Sequence, residues 1–237
     1  MTNRTFITGD LHQTHDIAKL KYFKKNGGKN LTKKDVVIIA GDFGMLWNYT
    51  MTKEEHWWLK WMDDLPWTTV FCDGNHENFD LLDNLQSYNK FGADVGYVGH
   101  SIFHLRRGNV YRINGKRILA IGGAHSHDRA YRTWGKSMWK QEVISQEDID
   151  KCFLNLAKYN NKVDYVVSHC APVTFARQAI SKELMSQWMP DGSEEMLQQL
   201  LGHFEFKRWH FGHYHNECSD PHGGFWCCVY NKIHELE

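Results

Sequence analysis

The stretch Val36-Val37-Ile38-Ile39-Ala40-Gly41-Asp42 sets five apolar residues in a row directly before a glycine and a carboxylate. A run that is apolar at successive positions predicts a strand covered on both faces of its sheet. Four further runs are rich in β-branched or aromatic residues and also end in glycine or polar residues. They are residues 5–8, 69–72, 164–167 and 207–211. The chain therefore contains several candidate central strands.

Helices are predicted in the segments between these strands. Thr52 and Glu55 form a capping-box pattern that opens a helix through Leu65, and Pro66 ends it. Three further helices are predicted over residues 12–25, 145–160 and 192–203. Strands that alternate with helices favour an α/β layered architecture.

The pattern changes in the middle of the chain. A meander is predicted over residues 102–105, 110–113 and 118–121. Its turns are supplied by Arg107-Gly108-Asn109 and Asn114-Gly115-Lys116. Residues 124–144 have no clear period, so they predict a long loop or lid. We therefore expect one domain over residues 1–237 with an insertion around 124–144.

The composition narrows the class of protein. Hydrophobic residues make up 42% and charged residues 24% of the chain, which is typical of a soluble globular protein. The 28 basic residues balance the 28 acidic ones, whereas a dedicated duplex binder usually carries a basic excess. With no apolar signal region and no membrane-length run, we expect a cytoplasmic protein with no membrane partner. The six cysteines lack a C-x-x-C pair, which predicts free thiols.

Potential metal ligands follow each of the candidate strands. In chain order they are Asp10 and His12, Asp42, Asn75 and His76, His169, and His213 and His215. Ligands of open α/β sheets bind beyond the carboxyl ends of the strands, so these side chains are expected to converge on one crevice. Asp10 and His12 would point to the same side if the first strand continued. Glycine precedes four of these positions, which fits tight turns with close backbone approach.

Each motif alone carries little weight. A Gly-Asp pair is a common turn, and a lone His is more often a satisfied core or surface residue. An ordered series of ligand-bearing motifs, each after a strand, is hard to produce by chance. The ordered set therefore predicts a metal site.

The ordered motifs resemble those of the calcineurin-like metallophosphoesterase superfamily, most closely its small bacterial and phage members. The motifs are Gly9-Asp10-Leu11-His12, Gly41-Asp42, Gly74-Asn75-His76-Glu77, Ser168-His169 and Gly212-His213-Tyr214-His215. The resemblance implies an α/β fold, a four-layer αββα sandwich of two mixed β-sheets flanked by helices. It also implies a hydrolase that attacks a phosphate ester with a metal-activated hydroxide.

The same resemblance implies a role for each ligand. The metal ligands would be Asp10, His12 and His215 for a first divalent ion, Asn75, His169 and His213 for a second, and Asp42 for both. His76 would be the catalytic residue beside the leaving-group oxygen, to which it could donate a proton or a hydrogen bond. Divalent ions would activate water and oppose the charge of the transition state. A mixed imidazole, carboxylate and amide shell suits manganese, iron, zinc or nickel better than magnesium, and manganese is the first expectation.

The chain departs from the pattern of protein-phosphatase-like members at two places. Those members carry a second Asp three residues after the bridging one, where Met45 stands here, and an Arg directly before Gly-Asn-His-Glu, where Asp73 stands here. Such arginines clamp a monoester dianion, so their absence favours a phosphodiester, whose phosphate carries one charge. A nucleotide or nucleic acid is then a candidate substrate. The partner that orients His76 is left open between Asp73 and Glu77.

Substrate contacts are predicted in the 124–144 segment. Arg129 and Arg132 could clamp a phosphate group, with solvated loop charges as the alternative. His125 and His127 follow a strand-like run and a glycine pair, so they could face the crevice, with a surface loop as the alternative.

Two other functions remain open at this point. One is a phosphomonoesterase acting on phosphoproteins or small metabolites. The other is a non-catalytic scaffold of the same fold, although a scaffold would be expected to lose ligands that this chain retains. The sequence points to no particular protein partner.

Overall fold

The computed structural model describes residues 3–186 and 188–237. The first of its two sheets contains β1 (Thr5–Thr8), β2 (Val36–Ala40), β3 (Thr68–Cys72), β4 (Ser87–Lys90), β5 (Ala93–Gly99), β6 (Ile102–Leu105) and β13 (His234–Glu235). The strand order is β13-β1-β2-β3-β6-β5-β4. Strands β1, β2, β3 and β6 run parallel, and the outer strands are antiparallel to their neighbours.

The second sheet is also mixed. It contains β7 (Asn109–Ile113), β8 (Lys116–Ile121), β9 (Tyr165–Ser168), β10 (Arg208–Phe211), β11 (Cys218–Ser219) and β12 (Trp226–Cys228). The strand order is β11-β12-β10-β9-β8-β7, with a parallel centre formed by β8, β9, β10 and β12. Both sheets therefore present several parallel strands with their carboxyl ends at one edge.

Helices cover the outer faces of the sheets. They are α1 (Ala18–Lys25), α2 (Lys53–Asp63), α3 (Phe79–Asp83), α4 (Gln146–Ala157), α5 (Val173–Ala179), α6 (Lys182–Met185) and α7 (Gly192–Gln198). Helix α2 begins with the predicted capping box, because Thr52 Oγ1 accepts from Glu55 N and Glu55 Oε2 accepts from Thr52 N. No helix in the described residues is both long and apolar enough to cross a membrane.

The side chains of β2 show how the layers are built. Val36 and Ile38 belong to the buried cluster between the two sheets, together with Ile118 of β8. Val37 and Ile39 belong instead to the cluster under α1 and α2. Successive residues of this strand therefore enter different apolar layers, which explains why the run is apolar throughout.

The second sheet repeats this arrangement on its other face. Phe211 of β10 packs in one cluster with Ile149 of α4 and Leu197 of α7. The order of layers is thus helices, sheet, sheet and helices. The predicted αββα sandwich of two mixed sheets is confirmed.

Two local predictions are wrong. The meander is divided between the sheets, since β6 belongs to the first while β7 and β8 form a hairpin in the second. The hairpin turn itself is as predicted, with positive φ at Asn114 and Gly115 (48° and 81°). The helix predicted over 12–25 begins only at Ala18. His12 and Gln13 have φ values of 44° and 60°, which a right-handed helix does not allow.

The 124–144 segment is mostly irregular. It contains 3₁₀ turns at 129–131 and 140–142 and one isolated bridge between Trp134 and Met138. Trp139 and Glu142 are nevertheless buried, so the later half of the segment is packed into the protein.

Candidate metal centre

The predicted ligands converge at the carboxyl ends of β1, β2, β3, β9 and β10. One ligand atom from each of four residues lies within 4.8 Å of all the others, and these residues are Asp10, His12, Asp42 and His215. His169 Nε2 lies 3.1 Å from Asn75 Oδ1, and the ring centroids of His169 and His213 are 4.9 Å apart. Both sheets therefore contribute side chains to one cluster.

Glycines make this convergence possible. A Cβ at Gly41 would lie 2.0 Å from His169 Nδ1, and one at Gly74 would lie 2.1 Å from Asp42 Oδ1. A Cβ at Gly212 would likewise lie 2.1 Å from Asp10 Oδ1. The expectation that glycine allows close approach at these turns is confirmed.

The condition under which strand alternation would align Asp10 and His12 is not met, although the two side chains do meet. Strand β1 ends at Thr8, and His12 has a φ of 44°. Positive φ also occurs at Asp42, His213 and His215. This backbone conformation is unfavourable for residues other than glycine. Backbone strain is thus concentrated at the cluster, where turns rather than strands aim the side chains.

One carboxylate oxygen lies between two imidazoles. Asp42 Oδ2 is 3.1 Å from His12 Nε2 and 3.3 Å from His169 Nε2. The other oxygen of Asp42 accepts a hydrogen bond from the backbone N of His76 at 2.8 Å. The carboxylate is therefore held by the backbone on one side and shared by two histidines on the other.

Hydrogen bonds at the opposite ring nitrogens orient these two histidines. His169 Nδ1 donates to the carbonyl oxygen of Ala40 at 2.9 Å, and His12 Nδ1 lies 2.8 Å from Asp16 Oδ2. In the neutral rings, each Nε2 therefore directs a lone pair at Asp42. Oδ2 of Asp10 is buried and has no hydrogen-bond partner among the described residues, although His215 Nε2 lies 3.2 Å away. These lone pairs repel one another, so a positive charge placed between them would stabilise the cluster.

The pKa values of the histidines also show that the carboxylates favour positive charge in the cluster. Burial lowers the pKa of His12, but the hydrogen bond and charge of Asp42 outweigh it and raise this pKa to about 9. Burial also opposes the shift at His169, where the charges of Asp42 and Asp10 raise the pKa to about 9. The pKa of His213 is lowered to about 3 by burial and by the charge of His169, which favours a neutral imidazole. Protons or divalent cations can satisfy these carboxylates, and cations fit the donor set.

The comparison with known proteins agrees with this geometry. The sequence model of the calcineurin-like phosphoesterase family matches residues 4–217. The chain belongs to this family. Calcineurin-like phosphoesterases are binuclear metal-dependent enzymes that hydrolyse phosphate esters, and the Asp and His cluster is a possible metal site of this kind.

The chain is also similar to the "Lariat debranching enzyme" of Entamoeba histolytica, with 23% identity over 227 residues. The match covers 86% of this chain and 61% of the relative. The chain thus spans about three fifths of the length of the relative.

The ring of His76 lies beside the cluster and contacts an arginine of the 124–144 segment. Arg132 Nη2 lies 2.9 Å from His76 Nε2 and donates to it, because arginine carries no acceptor. Burial and the nearby charge of Arg132 lower the pKa of His76, against the opposing charge of Asp42. In this calcineurin-like phosphoesterase, burial and the charge of Arg132 thus both favour the neutral form of the catalytic candidate.

Neither suggested carboxylate orients His76. Glu77 is buried and accepts from the backbone N of Phe43 and Gly44 at 2.7 and 2.9 Å. Asp73 is buried and binds Arg107 and His104. Both carboxylates stabilise the loops behind the metal cluster.

The four predicted substrate contacts lie in two groups. His127 and Arg132 line a crevice of ≈ 200 Å³, together with His76 and ligands of the cluster. Arg129 Nη1 instead lies 2.6 Å from His125 Nε2, and its guanidinium lies 5.6 Å from the ring centroid of Trp134. Of the four residues, His127 and Arg132 are thus the pair that lines the crevice.

Sequence reasoning missed several supporting residues. Asp16, four residues after His12, holds the ring of that histidine and could have been found from this spacing. Ser126 and Glu142 contact the cluster through Asn75, but their segment has no periodicity that would single them out.

Proposed function

We propose that this chain hydrolyses a phosphodiester in a reaction that depends on two divalent metal ions. The position of Asp42 Oδ2 between His12 and His169 carries the proposal, because a carboxylate shared by two ion positions offsets the repulsion between neighbouring dications. The first ion would be held by Asp10, His12 and His215, the second by Asn75, His169 and His213, and Asp42 would bind both. Such ions supply an activated water nucleophile and Lewis acidity toward the phosphoryl group.

The protein side chains would bind and protonate the substrate. Arg132 lies in the crevice and can exchange its contact with His76 for a phosphoryl oxygen. His76, released from the guanidinium, would then take up a proton from solvent and donate it, or a hydrogen bond, to the leaving-group oxygen. His127 would also contact the substrate, since it lines the crevice and its ring lies 5.7 Å from that of His213.

The charge of the crevice supports a diester over a monoester. Arg132 is the guanidinium among the residues that line it, and Arg132 Nε is paired with Asp128 Oδ1 at 2.6 Å. A partly neutralised arginine suits a phosphate with one negative charge better than a dianion. The similarity to a lariat debranching enzyme agrees with a nucleotide or nucleic acid substrate.

The experiment is to purify the protein, load it with Mn²⁺, and compare kcat/KM for bis-p-nitrophenyl phosphate and p-nitrophenyl phosphate. We expect two bound ions per chain and a preference for the diester, with Fe, Zn and Ni tested as alternative metals. A large preference for the monoester would overturn the substrate class while leaving the metal centre in place.

A bridging role for Asp42 is tested by replacing it. Asp42→Asn should lower metal content below two ions per chain and reduce turnover by about 10³-fold or more, since several kcal/mol of charge stabilisation depend on the ions. Asp64→Asn is the matched control, because the side chain of Asp64 is exposed and its carboxylate pairs with Lys60 on the surface. Full metal content in Asp42→Asn would contradict the proposal.

A further inference from the structure

The amide group of Asn75 has two unlike ends. Its oxygen can bind a cation, whereas its NH₂ group carries hydrogens that repel one. A rotation of the amide by half a turn changes the shape of the side chain little but would remove a ligand. The orientation of this buried amide must therefore be enforced by its neighbours.

Ser126 lies at the nitrogen end of the amide. Asn75 Nδ2 donates to Ser126 Oγ at 3.2 Å, and Ser126 Oγ donates to Glu142 Oε2 at 2.7 Å. The single hydroxyl hydrogen of Ser126 is directed to the carboxylate, so the face toward Asn75 offers only lone pairs. Asn75 must place its NH₂ group there, which leaves Oδ1 facing His169 Nε2 at 3.1 Å.

Glu142 sets the direction of this chain of hydrogen bonds. Its second oxygen accepts from the backbone N of Trp139 at 2.9 Å and lies 4.0 Å from Arg132 Nη1. Burial raises the pKa of this carboxyl, but the hydrogen bonds from Ser126 and from the backbone N of Trp139 and the charge of Arg132 oppose that shift and favour the ionised form, which only accepts. Glu142, Ser126 and Asn75 are 0%, 1% and 4% exposed, so water has little access to replace any of these bonds.

We propose that Ser126, oriented by Glu142, is a positioning residue that turns the Asn75 amide so that its oxygen faces the metal centre. The inference rests on the proposed role of Asn75 as a ligand of the second ion. It also gives the 124–144 segment a function at the metal centre that is separate from substrate binding. Supporting residues of this kind change metal affinity or activity by about 10- to 100-fold when they are replaced.

The test is Mn²⁺ titration of the metal-free protein by calorimetry, with the variants Ser126→Ala and Ser126→Thr. Ser126→Ala removes the acceptor at the nitrogen end, so the affinity of one of the two ions should fall about 10- to 100-fold while the other is unchanged. Ser126→Thr keeps the hydroxyl and should restore most of that affinity. Ser137→Ala is the control, since Ser137 lies in the same segment but its hydroxyl accepts from Thr133 N.

A second variant tests the direction of the hydrogen bonds from Asn75 through Ser126 to Glu142 without changing side-chain volume. In Glu142→Gln, one end of the amide would face the Ser126 hydroxyl and the other the backbone N of Trp139. An NH₂ group placed toward Trp139 meets another donor, and one placed toward Ser126 reverses the serine hydrogen bond. Glu142→Gln should therefore weaken the same ion as Ser126→Ala. Thermal unfolding of the metal-free proteins identifies variants that have lost the fold.

The outcomes separate this inference from the proposed function. If wild type binds two ions and a folded Ser126→Ala variant binds both with unchanged affinity, the positioning role is overturned and the metal centre stands. If the wild type itself binds fewer than two ions, the binuclear proposal fails, and the positioning role fails with it. Selective loss of one ion in both variants supports the inference.

Discussion

The guanidinium of Arg107 donates two hydrogen bonds to the same carboxylate oxygen of Asp73, from Nε at 2.8 Å and from Nη2 at 2.5 Å. Asp73 is 1% exposed and stands directly before the loop that carries Asn75. Burial alone would raise the pKa of Asp73, but the charges of Arg107 and His104 lower it below its usual range. The metal centre is thus supported from behind by a buried ion pair.

Removing Arg107 should destabilise the fold strongly. Arg107→Met removes the guanidinium from the buried Asp73 carboxylate and leaves it with the contact to His104, and breaking a buried ion pair in this way costs about 3–5 kcal/mol of unfolding free energy. The measurement is urea denaturation of the metal-free protein. Arg4→Met is the control, because the pair of Arg4 with Glu235 is 49% and 41% exposed and should contribute about 0–1 kcal/mol. Equal losses in the two variants would show that burial of the Asp73 pair does not matter.

Part of the fold could be predicted from local sequence. The run 36–40 predicts a central strand because it is apolar at every position. Each of its side chains lies in an apolar layer in the structure. The division of the meander between the two sheets could not be predicted. The residues around Gly108 have the sequence of a hairpin turn, and Gly108 has the positive φ (75°) that such a turn uses. Nothing local distinguishes a turn within one sheet from a crossing to the facing sheet. That choice depends on packing between residues far apart in the chain.

The site shows the same division. Candidate ligands such as Asp42 and His169 can be predicted because each follows a strand, and the carboxyl ends of parallel strands share an edge. The supporting residues were missed because their roles depend on distant partners: Ser126 meets Asn75 from 51 residues away. The contact of Arg132 with His76, across 56 residues, likewise has no local signal. A buried polar network is a product of tertiary structure.

The glycine before Asp42 should be essential to the metal centre. In Gly41→Ala, the new Cβ would lie 2.0 Å from His169 Nδ1, so the ring must move away from its ion. We expect Mn²⁺ affinity, measured by calorimetry, to fall at least about tenfold. Gly115→Ala is a matched control, since Gly115 also has a positive φ (81°) but no atom of the residues that the structure describes lies within 4 Å of its Cβ position. The control should lose about 1–2 kcal/mol of stability and keep its metals; similar metal loss in both would refute the steric argument.

His76 should affect rate rather than metal content. His76→Ala is expected to bind two ions and to lose about 10²–10⁴-fold in kcat for esters with poor leaving groups. The loss should shrink for p-nitrophenyl esters, whose leaving group needs little protonation. His100→Ala, at an exposed position, serves as the control. Unchanged kcat for a poor leaving group would remove His76 from the reaction.

The two arginines of the 124–144 segment should behave differently. Arg132 lines the crevice and contacts His76, whereas Arg129 contacts His125 and Trp134. Arg132→Ala should raise KM for the diester about tenfold or more, the value of a hydrogen bond to a charged group. Arg129→Ala should leave KM within about twofold of wild type. If both variants keep the wild-type KM, this segment contributes no arginine to phosphate binding.

A buried histidine remote from the cluster should make stability depend on pH. His210 of β10 is 2% exposed, and its Nδ1 has no hydrogen-bond partner in the described part of the chain. Burial and the charges of Arg208 and His234 lower the pKa of His210 from 6.5 to about 3. Between these two values the unfolded chain binds the proton and the folded chain does not. The free energy of unfolding therefore falls as the pH drops below about 6.5, by up to about 1.4 kcal/mol per pH unit.

Replacing this histidine by a ring that does not titrate isolates its contribution. His210→Phe and wild type are compared by urea denaturation at pH 7.5 and pH 5, with metal removed so that ligand protonation at the cluster is common to both. Between pH 7.5 and pH 5, the unfolding free energy of the variant should fall by about 2 kcal/mol less than that of wild type. The unfolded variant has no histidine at this position to bind a proton over the roughly 1.5 pH units between 6.5 and 5. His222→Phe, at an exposed position, should keep the wild-type dependence. If His210→Phe loses stability as steeply as wild type, other groups cause the acid sensitivity.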